Sequence, residues 1–117
     1  FGLLGHLIEM CEGSATAAEL DFGSVPVLQE ALTYLALGSY PDGSFRNWKS
    51  YGNKVQGAGS MERMMILSDP QTSGGLLVAT DRDGSRTMED AKERFGMDAV
   101  RIGRIVPFSD GPRVHVV

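Results

Sequence analysis

With 117 residues, 42% of them hydrophobic and 22% charged, the chain has the make-up of one globular domain around one core. A net charge of −4 disfavours a nucleic-acid partner, which would call for a basic face, and the apolar runs fall far short of a membrane span. No basic segment precedes an apolar run, so no signal peptide is expected, and the single cysteine excludes an internal disulfide or a cysteine-built metal site.

The chain opens on Phe1 inside an ongoing pattern, FGLLGHL, which points to a piece of something longer. Leu3, Leu4, Leu7, Ile8 and Cys11 recur at helical spacing and predict an amphipathic helix over 3–12, with Gly13 as its stop. Cys11 reads as a buried structural thiol, and one free thiol is compatible with a cytoplasmic setting. Residues 17–22 read as a short strand, with Glu19 and Asp21 alternating against Ala18, Leu20 and Phe22. Pro26 opens a helical unit carried by Leu28, Ala31, Leu32, Leu35 and Ala36 and ended by Gly38. Residues 39–60 are rich in Gly, Asn, Ser and Tyr and predict a long connection, the kind that is functional or mobile. A short helical turn is expected over 61–67.

The uniformly apolar run 76–79 fits a central strand. A helix is expected over 87–95, with Thr87 as N-cap, Glu89 and Asp90 favouring its dipole, and Gly96 closing it. Residues 100–106 and 113–117 read as strands joined by a turn at 109–112, with His115 opposite Val114 and Val116. Three helices and four strands, interspersed, give an α+β class. The expected architecture is one domain over 1–117, with a single mixed sheet of about four strands and helices packed on one face.

The motif that carries most chemistry is DPQTSGGLL at 69–77. Gly74 and Gly75 allow positive φ and let a ligand reach the backbone. Successive N–H groups there can form an anion-binding concavity, with Thr72 and Ser73 adding hydroxyl donors. No Lys follows the glycines, so this is not a Walker loop. The alternative is a tight turn into a strand. Asp69 reads as a turn starter that accepts hydrogen bonds from its own loop, with metal binding as the lesser option. In PDGSFRNW, 41–48, Arg46 suits a phosphate or carboxylate and Asn47 adds an amide, or Trp48 simply staples an exposed loop. His6 and His115 show no metal-binding spacing, and the six methionines read as packing. No nucleophilic triad can be drawn.

Taken together, FGLLGHLIEM at 1–10, PVL at 26–28, GSFRNW at 43–48 and DPQTSGGLL at 69–77 resemble the C-terminal domain of the selenophosphate synthetase family, within the aminoimidazole ribonucleotide synthetase superfamily. The resemblance runs over essentially the whole chain. It implies an enzyme that makes selenophosphate, AMP and phosphate from ATP, water and selenide, with Mg²⁺ required. It also implies an N-terminal domain as partner, a homodimer at full length, and a cytoplasmic location. The family's nucleophile, its lysine and its metal aspartates lie upstream of the FGLLGH helix. The resemblance therefore implies that this chain carries no catalytic or metal residue, binds no cofactor alone, and is inactive alone. Asp69, Gln71, Thr72, Ser73, Gly74 and Gly75 are the candidates for a phosphate or inter-domain loop, with Arg46 and Asn47 as weaker anion contacts. The alternatives are a superfamily relative acting on a purine precursor, a thiamine phosphate or a hydrogenase-maturation intermediate, and a binding or oligomerisation module without chemistry.

Overall fold

The computed structural model describes residues 1–81 and 84–117. Helix α1 spans Gly2–Gly13, and its apolar stripe of Leu4, Leu7, Ile8 and Cys11 is buried as the spacing predicts. Gly13 is the last helical residue, not the stop beyond it. Ser14 caps the end through its N–H and hydroxyl, both donated to the Met10 carbonyl, and Ala15 turns the chain at φ 55°. Cys11 is fully enclosed, and burial pushes its thiol pKa up, as expected of a structural cysteine.

Strand β1, Thr16–Leu20, is the centre of a mixed four-stranded sheet of order β2-β4-β1-β3. Its partners are β3, Gly103–Pro107, antiparallel, and β4, Val114–Val116, parallel. The register sets Ala18 beside Val114 and Leu20 beside Val116. Those four side chains form one apolar face, and α1 packs on it. The opposite face carries an ion pair from Arg104 to Glu19 at 2.6 Å. Burial of each core leucine, such as Leu4, Leu20 or Leu67, stabilises the fold by about 2 kcal/mol. The expected α+β class and single mixed sheet hold. Strand β1 ends earlier than its alternation implies, because Asp21 leaves the sheet to accept the Gly23 N–H at 3.0 Å and cap a short 3₁₀ turn.

Helix α2, Gln29–Ala36, ends as expected at Gly38, which takes φ 75°. The expected long connection over 39–60 is overturned. It contains α3, Asp42–Tyr51, and β2, Val55–Gln56, which pairs parallel with β4. The GSFRNW segment is therefore helical. Its Gly, Ser and Asn are poor helix formers, and tertiary packing overrides propensity by burying Ser44 and Tyr51 against α1 and α4. Helix α4, Met61–Leu67, is capped by Ser60, whose hydroxyl accepts the Arg63 N–H at 3.2 Å.

The central strand expected at 76–79 is not formed. Leu76 is 84% and Val78 62% exposed, and β2 is the fourth strand instead. A four-residue apolar run has no period that distinguishes a strand from extended chain. Helix α5, Ser85–Phe95, begins before Thr87, and Gly84 in the left-handed conformation is its N-cap. Its end at Gly96, φ 63°, is as expected.

Candidate functional site

The N-terminus of α1, one face of α3 and the C-terminus of α4 meet at Ser68. Helix α4 ends on Leu67, which is fully buried, and Ser68 closes it by donating its N–H to Met64 O at 3.1 Å. The Ser68 carbonyl accepts the Asn47 amide, Nδ2 to O, at 2.9 Å. Gly2 lies against the same residue. It takes φ 73°, and a Cβ there would stand 2.7 Å from the Ser68 carbonyl carbon, so the two backbones touch where no side chain fits. One turn after Asn47, the Tyr51 hydroxyl donates to the Phe1 carbonyl at 2.6 Å. Burial pushes the Tyr51 phenol pKa up. Gly43, in the first turn of α3, lies under the Pro70 ring, 2.7 Å from where a Cβ would be.

The 69–75 loop leaves from this clamped root. Asp69 sends its N–H back to Ile66 O at 3.3 Å and accepts the Gln71 N–H on its own carbonyl at 2.8 Å. The expected bond to the Asp69 carboxylate is thus replaced by one to its main chain. Gln71 folds over Gly74, placing Oε1 2.8 Å from a Cβ built there. Beyond it, Thr72, Ser73, Gly74 and Gly75 are all exposed. Among the described residues, their four N–H groups have no hydrogen-bond partner. Neither glycine uses positive φ, so their value here is open access to the backbone and not the turn itself. The loop is followed not by a strand but by an irregular segment, 76–79, in which Leu77 packs partly against the core while Leu76, Val78 and Ala79 are exposed.

Asp69 is half-buried, and that burial raises its carboxyl pKa. A carboxyl raised in the folded state favours folding below its unfolded pKa and opposes it above the folded one. Asp69→Asn is therefore expected to match or exceed the parent Tm at pH 7, with the gap closing as pH falls through the carboxylate range. Thermal melts from pH 3 to 8 check this, and a loss of several degrees at pH 7 would show that the charge is used.

Arg46 and Asn47 do not act together. Successive helix residues point in different directions, so Asn47 turns in to Ser68 while Arg46 is exposed and, among the described residues, without an ion pair. Trp48 is half-buried against the core and covers Gly52, so it anchors a helix and not the exposed loop of the stapling alternative. His6 is exposed, 3.4 Å from Glu9. Among the described residues no cluster of His, Cys, Asp or Glu could hold a metal ion, and no helix is long and apolar enough to cross a membrane. Gly2, Tyr51 and Ser68 are the site residues that sequence reasoning missed. Gly2 and Gly5, within FGLLGH, were the available signal.

Residues 1–114, which include both the α1 clamp and the 69–75 loop, match the family described as AIR synthase related protein, C-terminal domain. The chain belongs to this family. Proteins named selenide, water dikinase resemble this AIR-synthase-related domain along nearly all its length. That of Haemophilus influenzae is 44% identical over 110 residues, covering 94% of this chain and 31% of the relative. That of Aeromonas hydrophila is 42% identical over 117 residues, covering 100% and 34%. That of Escherichia coli O139:H28 is 41% identical over 113 residues, covering 95% and 32%. This AIR-synthase-related domain thus spans about a third of the length of the curated relatives it matches.

Proposed function

We propose that this chain is the C-terminal domain of a two-domain selenide, water dikinase. The full-length enzyme makes selenophosphate, AMP and phosphate from ATP, water and selenide, works as a homodimer, and resides in the cytoplasm. Similarity to proteins of that name along nearly the whole chain supports the reaction. The observation that carries this domain's role is the row of N–H groups at Thr72, Ser73, Gly74 and Gly75 that have no partner among the described residues, presented from a clamped root.

Such a row suits an anionic oxygen or a backbone of another domain, because it offers donors without a side chain in the way. We assign the loop to the cleft between this domain and its N-terminal partner, facing phosphate or the inter-domain contact. Splitting ATP twice requires neutralisation of polyphosphate charge by metal and cations. Among the described residues no cluster of His, Cys, Asp or Glu could hold a metal ion, and we assign Mg²⁺ to ligands of the N-terminal partner. What the domain supplies is backbone donors and exclusion of water from a reactive intermediate. Alone it is inactive.

Phosphorus NMR on the full-length protein with ATP, Mg²⁺ and selenide under reducing conditions tests the reaction. A selenide-dependent signal split by selenium, together with AMP, is expected. ATP left intact, or cleaved to ADP regardless of selenide, would overturn the reading.

A further inference from the structure

Helix α3 makes two hydrogen bonds from one face, four residues apart. Asn47 holds the carbonyl of Ser68, the residue from which the 69–75 loop departs. Tyr51 holds the carbonyl of Phe1, at the start of α1. Residues at i and i+4 stand one above the other on a helix, about one turn apart. Two chain segments that are 67 positions apart are therefore held by one rigid element. Both acceptors are main-chain carbonyls, so the contacts fix backbone position and not a particular side chain. Between them, Gly2 lies directly on Ser68, which closes the triangle. Tyr51 is buried and Asn47 is half-buried, and each already donates to a main-chain carbonyl. Long-range hydrogen bonds from buried side chains to main chain are a costly way to order a surface loop unless its position matters.

We propose that Asn47 and Tyr51 are positioning residues that set the 72–75 N–H row against the start of α1, so that both segments meet the reacting phosphate in one fixed geometry. The positional part rests on these contacts alone. Its catalytic consequence rests on the dikinase reading. Asn47 is thus assigned a role through the loop and not as an anion contact.

Two measurements separate these parts. In this chain, amide NMR spectra of Tyr51→Phe and Asn47→Ala read the coupling. Each variant is expected to shift amides at both ends, Gly2 to Gly5 and Thr72 to Gly75. Shifts confined to each variant's own contact would overturn the proposal. Tyr51→Phe removes one oxygen and keeps the ring, so it remains informative should Asn47→Ala fold poorly. In the full-length protein, both variants are expected to lower kcat at least tenfold with KM for ATP within twofold, at temperatures well below each variant's Tm. An unchanged kcat beside an active parent would overturn the catalytic consequence. A parent without selenide-dependent turnover would overturn the dikinase reading, and the amide shifts would still decide the positioning.

Discussion

Replacing Gly2 by Ala is expected to lower stability by about 2–4 kcal/mol, one of the largest losses for any single-methyl addition in this domain. Two causes add. A residue with a Cβ pays about 1–2 kcal/mol to hold the left-handed conformation that Gly2 takes at φ 73°. The new methyl also falls 2.7 Å from the Ser68 carbonyl carbon and 2.9 Å from its Cα, which are backbone atoms and cannot swing aside. Relief requires α1 to move off α4, which would open the Asn47 and Tyr51 contacts. Urea or thermal unfolding of the Ala variant checks this. A loss below about 0.5 kcal/mol would mean that α1 does not start where it is described. Glycine at position 75 provides the control, since a Cβ there meets nothing within 4 Å.

Leu67→Ala is expected to cost about 2–5 kcal/mol, the range for emptying a filled core position. Leu67 is fully buried among α1, α3 and the sheet, and it is the residue immediately before Ser68. The loss should therefore loosen the loop root as well as the core. Leu76→Ala is expected to change stability by less than about 0.5 kcal/mol, because Leu76 is 84% exposed. The pair decides a point on which sequence and structure disagree. Equal costs at the two positions would show that 76–79 is packed as the central strand its composition predicts.

Where periodicity was long, the residues declared the structure. The 12 residues of α1 carry an apolar stripe at helical spacing, and Gly38 and Gly96 mark helix ends that take left-handed φ as expected. Where composition and tertiary packing conflict, the reading failed. Gly43, Ser44, Asn47 and Ser50 argue for a loop, yet α3 forms because its inner face packs on α1 and α4. Residues 76–79 look like a strand, yet strandness depends on a free partner edge that no local pattern encodes. At the site, the DPQTSGGLL motif was visible as a glycine-containing loop with open backbone. Its support was not, because Asn47–Ser68 and Tyr51–Phe1 join positions 21 and 50 apart in sequence. Nothing in either segment alone announces that pairing.

The most direct measurement is the rate of selenide-dependent AMP formation by the full-length protein carrying Gly74→Val or Gly75→Val, taken together with Tm. A Cβ at Gly74 comes within 2.8 Å of only the Oε1 at the flexible end of Gln71, with Gln71 Cβ at an ordinary 3.4 Å, and at Gly75 it meets open space, so neither variant should unfold the domain. With Tm unchanged within a few degrees, the rate is expected to fall at least tenfold, about 1.4 kcal/mol in the barrier, because the branched side chain screens the N–H row. A parental rate at parental Tm in both variants would contradict a functional role for that backbone surface.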